Sequence, residues 1–286
     1  MPVFTKNLQR VYNLQLVSKC GKRYNKIMNI TNGYLTDLHI HSSFSYDSNE
    51  KCERYIEKAL ERGDKSIGFV QHYDYDCFLT GGKTPLCDLD AYKDESDRVR
   101  SVYGEKIKMF FGIEFGYDEH AEKCYAELVD KYKFDYVINS VHLVGSKDCC
   151  LKDCWGNRSA DDIYKEYLEK VYKSVNANYP WQIVGHLGYP ARYAPENERD
   201  FSFENYSGEL TDILKSIIAN GKFLEINTST KSEMPFMPFE DILKKYAAFG
   251  GKFVTFGSDA HSVERYCENV AEVEKTIMRY GLISVG

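Results

Sequence analysis

The chain has 286 residues, of which 43% are hydrophobic and 28% charged, with a formal net charge of −6. These values exclude a disordered chain and allow a sizeable core, and no apolar run reaches the roughly 18 residues that a membrane-spanning helix needs. Residues 1–36 carry Lys6, Arg10, Lys19, Lys22, Arg23 and Lys26 but no acid, whereas the chain from Asp37 onward holds 31 basic and 43 acidic residues. That balance argues against a broad nucleic-acid footprint and leaves a small phosphorylated substrate open.

Segment 1–33 is expected to form a basic extension, either a flexible arm or a transit-type leader, with Met28 as an alternative start. It lacks the apolar centre of a secretory signal. Nine cysteines without regular spacing fit a reducing, cytoplasmic setting. The group Cys149, Cys150 and Cys154 lacks the ordered spacing of zinc sites and reads as loop thiols, and the 23 tyrosines read as packing.

Short apolar runs predict seven strands, at 34–40, 66–70, 107–113, 136–141, 182–184, 223–226 and 253–256. Runs this short and continuously apolar suit strands buried on both faces of a parallel sheet. Helical periodicity separates them at 48–62, 89–103, 120–131, 160–176, 209–219, 239–249 and 263–280, with glycines at 63, 221, 250 and 251 between a helix and the next strand. Seven alternating βα units over 34–286, with no linker and no repeat, predict one α/β domain of TIM-like barrel type. An open doubly wound sheet would carry a glycine-rich phosphate loop after its first strand, and 38–45 is not one.

The chemistry gathers at the predicted strand ends. The first strand ends in Asp37-Leu38-His39-Ile40-His41, where alternation turns both imidazoles to one side. The second runs into Gln71-His72, the third into Glu114, the fourth into His142, the fifth into His186, and the last offers Asp259-Ala260-His261. In a barrel such positions converge on one face. Only His120, in a predicted helix start, reads as a solvent-facing bystander. Imidazole and carboxylate donors without thiolates suit zinc, manganese or iron. Two or three divalent ions fit the donor count, with Glu114 placed to bridge two of them and neutralise charge on a phosphoryl group. For phosphate the candidate cations are Arg192, whose fork can hold two oxygens, then Lys231, then Arg158.

These residues resemble the polymerase-and-histidinol-phosphatase (PHP) superfamily, and within it the monofunctional histidinol-phosphate phosphatases. The resemblance runs from about Tyr34 to Gly281 through DLHIHSSFSYDS, Gln71-His72, GIEFG, NSVHLVG, VGHLGYPAR, LEINTS and FGSDAH. It implies a distorted (β/α)7 barrel and a trinuclear centre. His39, His41, Glu114 and Asp259 would hold the first ion, Glu114, His142 and His186 the second, and Asp47, His72 and His261 the third. Asp47 departs from the family, where histidine is common at this position. Lys231 departs too, offering a point charge where an arginine fork is usual. The implied reaction is hydrolysis of L-histidinol phosphate, with Arg192 and Lys231 on the phosphate and with Glu114, Asp259 and His261 as the catalytic residues. The alternatives are another PHP-type phosphoesterase acting on nucleotide, phosphoprotein or nucleic acid, a non-catalytic metal-binding module, and an amidohydrolase.

Overall fold

The computed structural model describes residues 35–75, 86–230 and 235–286. The expected basic extension 1–33 and Lys231 lie outside them. Eleven strands are present among the described residues: β1 (Ser66–Phe69), β2 (His72–Asp74), β3 (Lys108–Phe111), β4 (Ile113–Gly116), β5 (Val137–Ser140), β6 (Leu143–Val144), β7 (Lys147–Asp148), β8 (Ile183–Val184), β9 (Phe223–Asn227), β10 (Phe253–Gly257) and β11 (Ile283–Ser284). The helices are α1 (Cys52–Arg62), α2 (Leu89–Tyr103), α3 (Glu122–Tyr132), α4 (Lys152–Trp155), α5 (Ala160–Val175), α6 (Ser207–Ala219), α7 (Glu240–Ala248) and α8 (Val270–Tyr280).

Parallel pairing runs from β1 to β3, and from β2 through β4, β5, β8 and β9 to β10. Residues 36–41 carry this order round. Leu38 N–H donates to Phe256 O at 2.9 Å on one side, and Gly68 N–H donates to Asp37 O at 2.8 Å on the other. Seven parallel staves therefore follow one another in a ring, as the seven predicted strands require. β11 covers the start of β10 below residues 36–41. β6 and β7 form an antiparallel hairpin off the main sheet.

Two expectations were revised locally. The predicted strand at 34–40 is held by isolated bridges, Asp37 to Phe256 and Ile40 to Ala260, because the Asp37 carboxylate accepts from the backbone of Ser258, His39 and Cys267. The predicted helix at 263–280 is split into a 3₁₀ turn, Val263–Arg265, and α8. The break falls where Cys267 and Asn269 take φ of 56° and 55°, left-handed values that an α-helix cannot contain.

The helices form for local reasons and bury one stripe each. Asp88 caps α2 by accepting from Ala91 N–H, and Ser159 caps α5 by accepting from Asp162 N–H. α1 ends at Gly63, whose φ of 80° suits a residue without Cβ. Its buried positions Cys52, Tyr55, Ile56 and Ala59 fall on one helical face. The main apolar core lies between such helices and the ring.

A second cluster gathers Leu38, Val70, Phe110, Tyr136, Ile138, Ile183 and Val285 from different staves, which places it inside the ring. Alternation along each stave then puts apolar groups at the amino-terminal end of the interior and polar ones at the carboxyl end, as in Val70, His72, Asp74 and in Ile138, Ser140, His142. Tyr136 spans this plug. Its hydroxyl donates to Leu38 O at 2.6 Å, with Phe69 O at 3.2 Å. Gly68 and Gly112 leave it room, since a Cβ on Gly68 would stand 2.7 Å from the hydroxyl and one on Gly112 2.9 Å from the ring.

Replacing Tyr136 by Phe removes a donor from a buried carbonyl, a loss of about 1–3 kcal/mol. Thermal unfolding of the metal-free protein is expected to show a lower midpoint, by roughly 2–4 °C per kcal/mol. An unchanged midpoint would mean that the hydroxyl does not tie Leu38 to the ring.

Candidate metal centre

Six of the seven histidines meet at the carboxyl ends of the staves. His39 and His41 project together while Ile40 packs into the outer core, as alternation required. His72, Glu114, His142, His186, Asp259 and His261 join them from separate staves or the turns that follow. All but His261 are buried. Asp259 has φ of 51°, a left-handed conformation that aspartate tolerates better than most residues.

Glu114 is the hub, and its two oxygens face different groups. Oε1 lies 3.0 Å from His186 Nε2 and 3.3 Å from His142 Nε2, and it accepts from Ser140 Oγ at 2.6 Å. Oε2 lies 3.3 Å from His39 Nε2, 3.4 Å from His41 Nε2 and 2.9 Å from His72 Nδ1. Asp259 Oδ1 stands 3.3 Å from His41 Nε2 and 3.7 Å from His39 Nε2. At the open side, Asp47 Oδ2 is 3.0 Å from His261 Nε2 and 3.4 Å from His72 Nε2.

Donor atoms close enough to share one ion fall into three groups: His39, His41 and Asp259; His72, Glu114 and His142; His41, His72 and His261. His72 thus stands between the Glu114 side and the Asp47–His261 side. Nε2 of His39, His41 and His261 and Oε2 of Glu114 are buried without a hydrogen-bond partner. Buried polar atoms are ordinarily paired. Several unpaired ones converging, all of them good donors to a divalent cation, fit metal ions.

The charges follow this crowding. Burial opposes ionisation of Glu114, but His39, His72 and His142 hold it well below the usual carboxylate range. Burial also opposes a proton on His72, yet Glu114 and Asp47 push its pKa up to about 10. Burial, with His72 and His261 nearby, pushes His41 down to about 3. Asp47 and Asp259 are likewise held low against burial, the former chiefly by His261 and His72, the latter by His39 and His41.

The surrounding residues orient the ring nitrogens. His142 Nδ1 lies 2.7 Å from Asp74 Oδ1, His39 Nδ1 2.6 Å from Glu225 Oε1, and His41 Nδ1 3.0 Å from Ser45 Oγ. Ser45 in turn donates to Gln71 Oε1 at 2.9 Å. Sequence reasoning missed Asp74 and Glu225. The period-2 spacing of Asp74 after His72 would have found the first, since it puts both on the inner face. Glu225, within the predicted strand 223–226, carried the signal of a lone acid in an apolar strand.

Arg192 ends the 3₁₀ turn Tyr189–Arg192 that follows His186, a turn opened by Gly188 at φ 106°. Its Nη1 donates to Asp259 Oδ2 at 3.2 Å, which brings its guanidinium to the edge of the cluster. Arg158 is not brought in: it is surface-placed and paired with Glu166 at 2.5 Å. His120 is exposed. Cys149 and Cys154 pack with sulfurs 3.8 Å apart, and no cysteine enters a potential metal group among the described residues.

A parallel α/β ring with histidines and carboxylates converging at its strand ends defines a barrel-type fold with a cluster that could hold metal ions. The model of the PHP domain matches residues 37–229, and the chain belongs to that family. It is 30% identical over 247 residues to a histidinol-phosphatase of Lactococcus lactis subsp. lactis, covering 86% of this chain and 91% of that one. It is 27% identical over 250 residues to a histidinol-phosphatase of Bacillus subtilis, covering 79% and 92%. The crystal structure of the Lactococcus lactis histidinol phosphate phosphatase, complexed with zinc, L-histidinol and phosphate, matches with a TM-score of 0.81 at 28% identity, over 88% of this chain and 95% of that one.

The metal-free cluster carries a testable proton. Because the folded pKa of His72, about 10, lies above the ordinary 6.5, its protonation stabilises the metal-free fold fully below about pH 6.5, and that contribution is lost as pH rises through about 10. An ion that takes either ring nitrogen of His72 at pH 8 must displace a proton. Zinc titrated into metal-free protein at pH 8 is expected to release protons, read as heats that change with the ionisation enthalpy of the buffer. Buffer-independent heats would contradict a protonated His72.

Proposed function

We propose that the chain hydrolyses L-histidinol phosphate to L-histidinol and inorganic phosphate with the help of bound divalent ions, as a step in histidine biosynthesis. The observation that carries this reading is the convergence of six histidines, Glu114, Asp47 and Asp259 with the guanidinium of Arg192 at their edge. The likeness to phosphatases of histidinol phosphate over most of the chain supports the substrate.

In this reading His39, His41, Glu114 and Asp259 hold one ion and Glu114, His142 and His186 a second. Asp47, His72 and His261 hold a third. Bound ions of this kind lower the pKa of water and neutralise charge developing on a phosphoryl group. Glu114 would be the residue shared by the first two, since Oε1 faces His142 and His186 while Oε2 faces His39 and His41. Arg192 grips two oxygens of the phosphate with its planar fork, and Lys231 adds a point charge. Asp259, which pairs with Arg192, or His261, the most exposed imidazole of the cluster, manages the protons, taking one from the attacking water and passing it to the leaving histidinol oxygen. Positioning and charge neutralisation account for most of the rate. No helix among the described residues is long and apolar enough to cross a membrane; the nine cysteines without regular spacing favour a cytoplasmic location.

Purified protein loaded with zinc or manganese is expected to release phosphate from histidinol phosphate. Arg192→Ala is expected to lower kcat/KM by about 10²-fold or more, in line with the loss of a preorganised charge contact. Arg192→Lys should recover only part of it. Loaded protein that leaves histidinol phosphate intact while cleaving a nucleotide monoester or a phosphopeptide would replace the substrate and keep the class.

A further inference from the structure

Glu225 sits on the inner face of β9, 1% exposed, just below the cluster. Both of its oxygens are committed. Oε1 lies 2.6 Å from His39 Nδ1, while Oε2 accepts from the backbone N–H of His186 at 2.7 Å and from Asn227 Nδ2 at 3.1 Å. The Asn227 amide is fixed in that sense because its Oδ1 accepts from Ser229 N–H at 2.9 Å.

Two of these three partners can only donate, so the position calls for a group that only accepts, which a carboxylate is. His39 Nδ1 then carries a proton, and Nε2 presents its lone pair to the cluster. The space is reserved for this pair: a Cβ on Gly257 would collide with Glu225 Oε1 and stand 2.6 Å from His39 Cβ. His39 belongs to the group with His41 and Asp259, whereas His186 is in none of the three groups and faces the other oxygen of Glu114, the one proposed above for the second ion, with Nε2 3.0 Å from Oε1. One buried carboxylate therefore fixes the ring of one and the backbone of the other. Asp74 differs, since it makes a close hydrogen bond to the ring of His142 alone, at 2.7 Å.

We propose that Glu225 is the positioning residue of the metal centre, holding His39 in its Nδ1–H tautomer for the first ion and pinning His186 for the second, so that both ions depend on it. This rests on the metal reading given above. An amide at this position cannot do the same. With its nitrogen toward His39 it drives the imidazole proton onto Nε2, the atom the ion needs. With its nitrogen toward His186 it sets N–H against N–H.

The test compares the full chain with Glu225→Gln and Asp74→Asn. Zinc content is measured after dialysis, zinc affinity by competition with a chromophoric chelator, and imidazole N–H signals by proton–nitrogen correlation on the zinc-loaded proteins. Glu225→Gln is expected to bind two ions roughly 10–100-fold more weakly and to lose the hydrogen-bonded Nδ1–H signal of His39. Asp74→Asn is expected to weaken one ion and keep that signal. Wild-type affinity for both ions in Glu225→Gln overturns the proposal. So does a zinc-loaded wild type whose His39 shows no Nδ1–H signal, a readout that stands even if the variant fails to fold. Wild-type protein that binds no zinc at all overturns the metal reading itself, an outcome distinct from either.

Discussion

A carboxylate without contact to water stays ionised only where its surroundings replace the lost hydration, and an uncompensated one costs several kcal/mol. Glu114 has no exposure. Its compensation comes from His39, His41, His72, His142, His186 and Ser140, all within 3.4 Å of its two oxygens. These six residues come from the segment at 36–41 and from the ends of β2, β5 and β8. No pair of neighbouring elements can supply them, so five successive staves, from 36–41 to β8, have to be in place before the carboxylate is tolerable. The cluster is also self-limiting in charge, since His41 is driven down to about 3 by burial and by His72 and His261. Protons alone cannot satisfy so many imidazoles at once, whereas cations shared among them can.

The interior of the ring is divided by depth. Apolar side chains led by Tyr136 and Ile138 fill one end, and the ligand groups occupy the other. Glycines mark the boundary on three staves. A Cβ on Gly116 would collide with Asp74 Oδ1, one on Gly185 with Ser140 Oγ, and one on Gly257 with Glu225 Oε1. Each of these three polar groups touches a member of the cluster. In this layer the missing side chains matter as much as those present, because they leave room for the groups that aim the imidazoles.

Much of this was legible in the sequence, because the two periodicities of regular structure are short-range. His39 and His41 share a face through strand alternation alone, and His72, His142 and His186 each follow a short apolar run. What could not be read depends on distant partners. The contact of His39 with Glu225 joins residues 186 apart, and that of His142 with Asp74 residues 68 apart. Nothing local in an apolar strand tells whether its one acid points inward. The first stave departs from a regular strand for a similar reason. The Asp37 side chain takes backbone N–H groups of Ser258 and Cys267 from the far end of the chain. The same contact to Cys267 sits at the break in the helix expected over 263–280.

The seam between residues 36–41 and β10 has a consequence for the order in which the protein is made. The contact of Asp37 with Ser258 spans 221 residues, and the first of the seven staves to leave the ribosome carries His39 and His41, while Asp259 and His261 follow the last. Most of the chain must be synthesised before the first stave finds its second neighbour. Until then the seam presents unpaired backbone and a half-built set of ligands. Pairings of such long range are slow to form and leave the nascent chain open to aggregation, so the cluster can assemble only after all seven staves have been made.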